Sequence, residues 1–227
     1  FRIRRRGGGT EPVAVIGDTP YYDLQEAIVA ADDGDVIVLE SNILLGDENR
    51  NYGFYVTGKT ISIDLNGWSI EYSGPNTYKA IIATIVHDSN PTHLTILDTS
   101  SEKKGSVHAS SLIKIDGNEN SENGVLIQND ATEYFADNSD SLKECSITIK
   151  GGKYHAGEMA NGTGMIDNRC NTVIKGDNLK TGILITGGRF VLDSIGKKDN
   201  GSPWIINTKG KNTREVIVTG GTFNADI

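Results

Sequence analysis

Histidine, cysteine and acidic side chains are the residues in this chain that could bind a metal ion or act as acids, bases or nucleophiles. Two cysteines, Cys145 and Cys170, are too few for a disulfide scaffold or a zinc site of their own. We interpret them as ordinary thiols, with a bridge between them as the alternative. The four histidines have no spacing typical of metal ligands: they are His87, His93, His108 and His155. The sequence therefore predicts neither a metal site nor a cofactor.

Oxygen-rich stretches are common, but none has the pattern of a calcium-binding loop. NENSEN at 118–123 and DNSDS at 137–141 lack the spaced glycine and terminal glutamate of such a loop, so we interpret them as polar loops. Several aspartates recur where an alternating run ends, a position that turns prefer; they are Asp64, Asp98, Asp116 and Asp167. We interpret these as turn residues.

Charge is segregated along the chain. The protein has 22 Lys and Arg against 30 Asp and Glu, a net charge of −8, which argues against nucleic acid as a partner of the main body. The first acid is Glu11, whereas the opening FRIRRRGGGT contains Arg2, Arg4, Arg5 and Arg6. This pattern predicts a basic, extended anchoring arm tethered by glycines, with a solvated run of charges as the alternative. No apolar run approaches the roughly 18 to 20 residues of a membrane span, so we expect no membrane insertion.

A repeated motif dominates the second half of the chain. SITIKGGKY, GILITGGRF and EVIVTGGTF stand at 146–154, 182–190 and 215–223. Their Gly-Gly pairs are 36 and 33 residues apart, a period typical of structural repeats.

Each copy alternates as a strand with one buried face. The residues predicted to be buried are Ile147, Ile149, Ile183, Ile185, Val216 and Val218. An aromatic residue follows each Gly-Gly pair, and we expect Tyr154, Phe190 and Phe223 to stack on one another in successive repeats.

Short alternating runs recur along the chain at a fixed period, without helical crossovers between them. This pattern predicts an all-β fold: a right-handed parallel β-helix, or solenoid, with a short N-terminal capping helix. Asp23 and Glu26 have capping-box spacing, and an apolar stripe predicts the helix at 24–31. The expected organisation is an anchoring arm at 1–12, a cap at 13–40 comprising a strand, the helix and a first strand, and the β-helix at 41–227, with a continuation beyond 227 left open.

Four stretches of the chain resemble the pectin-lyase-like right-handed parallel β-helix proteins. They are VAVIGDTPYYDLQEAIVAADDGDVIVLESNILL at 13–45, KTISIDLNGWSI at 59–70, and the later ITGGRF and VTGGTF motifs. The resemblance covers nearly the whole chain from about residue 13. It implies the fold and not the chemistry, because this scaffold carries polysaccharide lyases and hydrolases, bacterial adhesins and bacteriophage spikes.

Enzymatic members of that superfamily imply particular residues. Polygalacturonase-like members carry an Asn-Thr-Asp segment, a paired Asp-Asp and a Gly-His-Gly, and here the only Asp-Asp, Asp32-Asp33, follows the capping helix. Pectate-lyase-like members need acidic calcium ligands and an arginine base, for which Arg169 beside Asp167 is the mid-chain candidate. We interpret that pair as part of a solvated turn and expect no catalytic residues.

The resemblance and the basic arm together favour a non-catalytic displayed protein. FRIRRR resembles the openings of some bacteriophage head-fibre and tail-fibre proteins. We therefore expect a virion fibre, spike or decoration protein on the virion surface, attached to capsid or tail proteins by its arm and binding host surface or glycan. The alternatives are an extracellular β-helix adhesin of a bacterial cell surface and a polysaccharide lyase or glycoside hydrolase.

The outward position between each predicted inward pair reads Thr148, then Leu184, then Ile217. Apolar residues on an outward face predict that a partner chain covers it, with a C-terminal continuation of the chain as the alternative. Since bacteriophage β-helix spikes are typically trimers, the resemblance implies a homotrimer with Leu184 and Ile217 on its oligomer face.

Overall fold

The repeated motifs form strands that lie side by side in a computed structural model of the chain. The structure describes residues 11–46, 52–73, 78–86, 90–112, 124–130, 144–159, 164–170, 172–175, 178–193, 204–207 and 216–224. Within these ranges the fold is all-β, with three sheets and one short helix, α1 (Leu24–Ala30). No helix in the described part of the chain is long and apolar enough to cross a membrane.

The three sheets differ in size. The nine-stranded sheet contains β1 (Ala14–Ile16), β2 (Thr19–Tyr21), β3 (Val36–Leu39), β6 (Thr60–Asp64), β9 (Thr92–Leu97), β12 (Cys145–Ile149), β15 (Val173–Lys175), β16 (Asn178–Ile185) and β19 (Val216–Val218). The six-stranded sheet contains β4 (Ile43–Leu45), β7 (Ser69–Tyr72), β10 (Ser106–Ser111), β13 (Lys153–Glu158), β17 (Arg189–Leu192) and β20 (Thr222–Phe223). The five-stranded sheet contains β5 (Tyr52–Val56), β8 (Ala80–Ile85), β11 (Val125–Asp130), β14 (Gly164–Asn168) and β18 (Trp204–Asn207).

From β3 onward the chain visits the nine-, six- and five-stranded sheets in turn, and we call each such passage a circuit. Equivalent strands of successive circuits pair in parallel, as β9 with β12 and β12 with β16. Among the described strands, antiparallel pairing occurs only between β1 and its neighbours β2 and β3, and between β15 and β16. The sheets are thus mostly parallel, an arrangement compatible with a β-helix-like fold.

Most of the residues predicted to be buried are confirmed as core. Ile147, Ile149, Ile183 and Ile185 are 0% exposed and belong to one hydrophobic cluster, to which all three sheets and α1 contribute side chains. Val216 and Val218 are only half-buried, so the prediction was wrong for this pair. They lie in β19, which pairs with β16 on one side, and no described strand pairs with its other side.

The predicted aromatic stack is confirmed. Tyr154, Phe190 and Phe223 are register partners on β13, β17 and β20. The ring centroids of Tyr154 and Phe190 are 5.0 Å apart, and those of Phe190 and Phe223 are 4.8 Å apart, with nearly parallel planes in both pairs.

The two glycines of each repeated pair have different tasks. A Cβ on the first glycine would come 2.4 Å from the Lys150 carbonyl oxygen at Gly187 and 2.3 Å from the Thr186 carbonyl oxygen at Gly220. The second glycine has a positive φ of 106° at both Gly188 and Gly221. Close backbone approach and a left-handed bend therefore both require glycine where the chain turns from the nine-stranded to the six-stranded sheet.

The helix α1 lies where the sequence predicts one and packs at the N-terminal end of the strand stack. Leu24, Ala27 and Ile28 join the core cluster, while the Asp23 carboxylate accepts hydrogen bonds from the first-turn backbone N–H groups of Gln25 and Glu26. At the other end, Lys59 Nζ donates to the backbone carbonyls of Ile28, Val29 and Ala31. A cation there satisfies carbonyls that the helix leaves unpaired.

Candidate functional site

The outer face of the six-stranded sheet carries several titratable side chains on neighbouring strands. Inward residues such as Val107 and Tyr154 are buried, so the alternating residues point away from the core. Register then places Glu71, His108 and His155 in one row across β7, β10 and β13. We call the outer surface of the six-stranded sheet the histidine face. A second row on the same surface lies two residues earlier in β7, β10 and β13 and continues onto β17 and β20; it contains Ser69, Ser106, Lys153, Arg189 and Thr222.

Two imidazoles lie at the centre of the histidine face. The rings of His108 and His155 are stacked, with centroids 4.6 Å apart and planes 8° from parallel. His155 Nε2 lies 2.8 Å from Asp193 Oδ2, an ion-pair distance, although its angle falls outside the hydrogen-bonding range. On the opposite side, Glu71 is the register partner of His108 and accepts a hydrogen bond from Ser69 Oγ. The histidine pair is thus bracketed by carboxylates.

The environment favours a neutral His108. Burial lowers the pKa of His108 below its ordinary value, and the adjacent His155 and Lys153 add to that effect, while Glu71 and Asp193 oppose it. A neutral imidazole offers one hydrogen-bond donor and one acceptor. Such a group can hydrogen-bond to hydroxyl-rich ligands without a net charge.

A second polar network lies on the outer face of the nine-stranded sheet. His93 Nδ1 is 2.7 Å from Ser146 Oγ, and its Nε2 is 3.3 Å from Glu144 Oε2. Lys180 Nζ donates to the same carboxylate at 3.0 Å. Burial opposes ionisation of Glu144, but the hydrogen bond and charge of Lys180, with His93, lower its pKa. These contacts link β9, β12 and β16. Ser146 is only 4% exposed, so its hydroxyl is not presented to solvent as a nucleophile.

The two cysteines belong to a buried polar network where the chain passes from the five-stranded to the nine-stranded sheet. Asn129 accepts a hydrogen bond from Thr84 Oγ1 at 2.7 Å and donates to Asn168 Oδ1 at 3.2 Å. Cys145 and Cys170 are buried thiols that are not joined in a disulfide, and both contact the Asn129 amide. Burial raises the pKa of Cys145 to about 12, so this thiol stays protonated and unreactive.

Arg169 and Asp167 form an ion pair, and the predicted solvated turn was wrong for them. Asp167 lies within β14 and is 5% exposed, and its Oδ2 is 2.7 Å from Arg169 Nε. Gln128 Nε2 donates to the same oxygen at 3.3 Å. The Arg169 guanidinium is therefore held by a nearly buried carboxylate next to β14.

Two of the aspartates predicted to be turn residues are confirmed. Asp64 is the last residue of β6, and Asp98 directly follows β9. Both accept backbone hydrogen bonds in the turns, including those from Thr99 N to Asp64 and from Gly105 N to Asp98. Asp116, His87 and the stretches 118–123 and 137–141 lie outside the described residues.

The residues predicted to form an oligomer face lie in one row and are half-buried. Thr148, Leu184 and Ile217 are register partners on β12, β16 and β19. The predicted anchor residues Arg2, Arg4, Arg5 and Arg6 lie outside the described residues.

Sequence spacing did not single out the histidine face, because His108 and His155 are far apart in the chain. A signal was nevertheless present: His155 follows the repeated aromatic Tyr154, so it had to occupy an outward position of the same strand. Within the described ranges, no group of three or more His, Cys, Asp or Glu side chains is arranged to hold a metal ion. No protein-family model, curated protein or solved structure matches this chain.

Proposed function

We propose that this protein is a non-catalytic displayed protein that binds a surface glycan through the histidine face. The observation that carries the proposal is the row of hydrogen-bonding side chains at strand spacing, Glu71, His108 and His155, beside Asp193. Neutral imidazoles, carboxylates and hydroxyls are the groups that hydrogen-bond to sugar hydroxyls. A flat row on paired strands holds them in fixed positions, which lowers the entropy cost of binding an extended chain.

The proposal includes the finer fold: a pectin-lyase-like, right-handed parallel β-helix. Its support is the regular return of the chain to each sheet, with β3, β6, β9, β12, β16 and β19 following one another in the nine-stranded sheet. Residues about three strands apart in sequence thereby become neighbours, and a long polar face forms from short strands.

The binding test compares two histidines on different faces. His155→Ala removes the centre of the histidine face, whereas His93→Ala is the matched control because His93, like His155, lies on a strand beside a carboxylate, that of Glu144. Binding to bacterial-surface and neutral plant glycans is measured by glycan array and then by calorimetry, with melting curves to verify folding. We expect His155→Ala to weaken binding about tenfold, equivalent to about 1.4 kcal/mol. We expect His93→Ala to bind as the parent does.

Equal binding by both variants would show that the ligand lies elsewhere. Incubation of the parent with the bound glycan, followed by assays for reducing ends and unsaturated products, tests the polysaccharide lyase or hydrolase alternative. Release of either product would refute the non-catalytic assignment.

The location we propose is the surface of a bacteriophage virion, with the basic arm attached to capsid or tail proteins. The support is charge segregation, because Arg2, Arg4, Arg5 and Arg6 precede a body with 18 basic and 30 acidic residues. Deleting residues 1–9 should leave the melting temperature nearly unchanged and abolish assembly onto the particle. Normal incorporation of the truncated protein would refute the anchor, and attachment to a cell wall would favour the bacterial adhesin.

A further inference from the structure

Two exposed cations face each other at one end of the histidine face. Lys153 on β13 and Arg189 on β17 are register partners, and both side chains are exposed. Like charges directly opposite on neighbouring strands destabilise a sheet. Among the described residues, neither cation lies within ion-pair distance of a carboxylate. The pair is therefore an unfavourable arrangement that a bound anion would relieve.

A cleft opens beside this pair. It has a volume of about 390 Å³ and is lined by Arg189, Phe190, Thr222, Phe223 and Asn224. Thr222 is the register partner of Arg189 on the next circuit, so its exposed side chain extends the row of the two cations. The Asn224 amide is already used, since it donates to the Leu192 carbonyl and accepts from the Leu192 N–H. The guanidinium and the hydroxyl thus remain as hydrogen-bond donors for a ligand in the cleft.

Two aromatic rings on the core side of the sheet also line the cleft. Phe223 is half-buried and stacks on the fully buried Phe190, with centroids 4.8 Å apart. At β20 the cleft thus borders an aromatic ring on the core side of the sheet and a guanidinium and a hydroxyl on its outer side, which suits a ligand with one apolar side and one anionic substituent. A pyranose ring with a carboxylate or phosphate group has this character.

Charge singles out the same position. The chain as a whole carries a net charge of −8, yet Lys153 and Arg189 stand together beside His155. A local cationic patch on an acidic protein selects an anion against the general field of the molecule. An arginine can bind a carboxylate or phosphate through two parallel N–H donors, and a neighbouring lysine adds a point charge.

We propose that Lys153, Arg189 and Thr222 form a subsite for an anionic group, carboxylate or phosphate, of the bound glycan. The guanidinium of Arg189 binds the anion, Lys153 adds a second positive charge beside it, and the Thr222 hydroxyl donates a further hydrogen bond. This inference rests on the proposed glycan-binding function and specifies the chemical class of the ligand.

The test uses three probes of equal chain length: a sialic-acid-bearing oligosaccharide, a polyol-phosphate oligomer and a neutral glucan. Their affinities for the parent are measured by calorimetry at low and high salt. We expect one of the anionic probes to bind at least tenfold more tightly than the glucan, with the preference falling as salt rises. Comparing the two anionic probes decides between carboxylate and phosphate.

Variants then assign the effect to the subsite. Arg189→Gln should reduce affinity for the anionic probe at least tenfold, and the double variant with Lys153→Gln should remove the preference over the glucan. Lys104→Gln is the matched control, because it makes the same charge change at an exposed lysine in the turn before β10. Arg189→Lys should retain part of the affinity, since it keeps the charge and loses the planar donor pair.

The outcomes separate this inference from the proposed function. Tight binding of the neutral glucan that survives Arg189→Gln would overturn the anionic subsite and leave glycan binding intact. An equal loss of affinity in Lys104→Gln would also overturn the subsite, since the effect would then come from net charge alone. Binding of none of the probes or array glycans would overturn both.

Discussion

Phe190 is the most constrained aromatic side chain of the repeats. It is 0% exposed and lies between Tyr154 and Phe223 in a continuous stack. We expect Phe190→Ala to lower the free energy of unfolding by about 3 to 5 kcal/mol, because it removes a buried ring and leaves a cavity between two others. Equilibrium urea unfolding measures this loss.

The control for that substitution is Phe223→Ala, at the half-buried end of the same stack. It should cost about half as much, because a half-buried ring hides less apolar surface from water and its removal leaves a smaller cavity. A loss below about 1 kcal/mol for Phe190→Ala would contradict the buried stack.

His108 gives the fold a pH dependence. Its pKa is lowered in the folded protein, mainly by burial, from an ordinary value of 6.5. As pH falls through that value the unfolded chain takes up the proton first, so stability decreases until the pH passes below the folded pKa. The groups facing the ring are Glu71, Lys153, His155 and Asp193.

We therefore expect the free energy of unfolding to decrease as the pH is lowered through 6.5, and His108→Gln to flatten that slope. Urea unfolding at several pH values measures the slope, and the imidazole NMR signals measure the titration midpoint. A His108 midpoint at or above 6.5, the ordinary value, would contradict the expectation.

At the scale of the elements, the turns between the nine-stranded and six-stranded sheets are held by aspartates. Both Asp98 oxygens accept hydrogen bonds, from the backbone N–H of Gly67 at 3.0 Å and Ser100 at 3.3 Å, and of Gly105 at 2.8 Å. Gly67 and Ser100 belong to turns of successive circuits, so one carboxylate joins two turns. Gly105 has no room for a side chain, because a Cβ there would come 2.5 Å from Leu65 Cβ.

Asp98→Ala should lower the free energy of unfolding by about 3 kcal/mol, because it leaves one buried and two partly buried N–H donors without their acceptor. Asp18→Ala is the control: Asp18 is an exposed turn residue, and we expect its loss to change stability by no more than about 0.5 kcal/mol. Chemical denaturation of both variants makes the comparison. Equal effects would mean that the Asp98 hydrogen bonds contribute no net stability.

The two ends of the strand stack are finished differently. At the N-terminal end, α1 covers the core, and the edge strand β2 contains Pro20, which cannot donate to an added strand. At the other end of the described residues, β19 and β20 carry the half-buried Val216, Val218 and Phe223. The capped end is adapted to stop further strand pairing, whereas the described strands of the other end contain no proline.

At the scale of the whole molecule, substitutions in the row of Thr148, Leu184 and Ile217 test whether copies of the chain associate through it. We expect the parent to be a homotrimer. Replacing Leu184 and Ile217 together by lysine should lower the mass measured by light scattering, because the lysine charges would repel one another in the interface and would be costly to remove from water. The matched control is Leu44→Lys, an outward, half-buried leucine on the six-stranded sheet. A monomeric parent with an equally soluble and stable double variant would refute the oligomer face.

The amino-acid sequence by itself determined the strands, the short helix and most of the core. The alternation of Ile147 with Ile149 and of Ile183 with Ile185 is local, and a fixed repeat period stacks equivalent residues in register, so their burial and the aromatic stack could be predicted. The Gly-Gly pairs carry the same information about the bend, because only glycine tolerates the close approach and the positive φ found there.

The tertiary structure decided what depends on neighbours from other circuits. The half-burial of Val216 and Val218 reflects which strands lie beside β19, and the burial of the Asp167–Arg169 pair reflects the surroundings of β14. The histidine face arises because parallel pairing brings His108 against His155, and Lys153 against Arg189. Such pairs join residues tens of positions apart, and their register follows from how much chain each circuit uses in its turns, which no local pattern of residue types specifies.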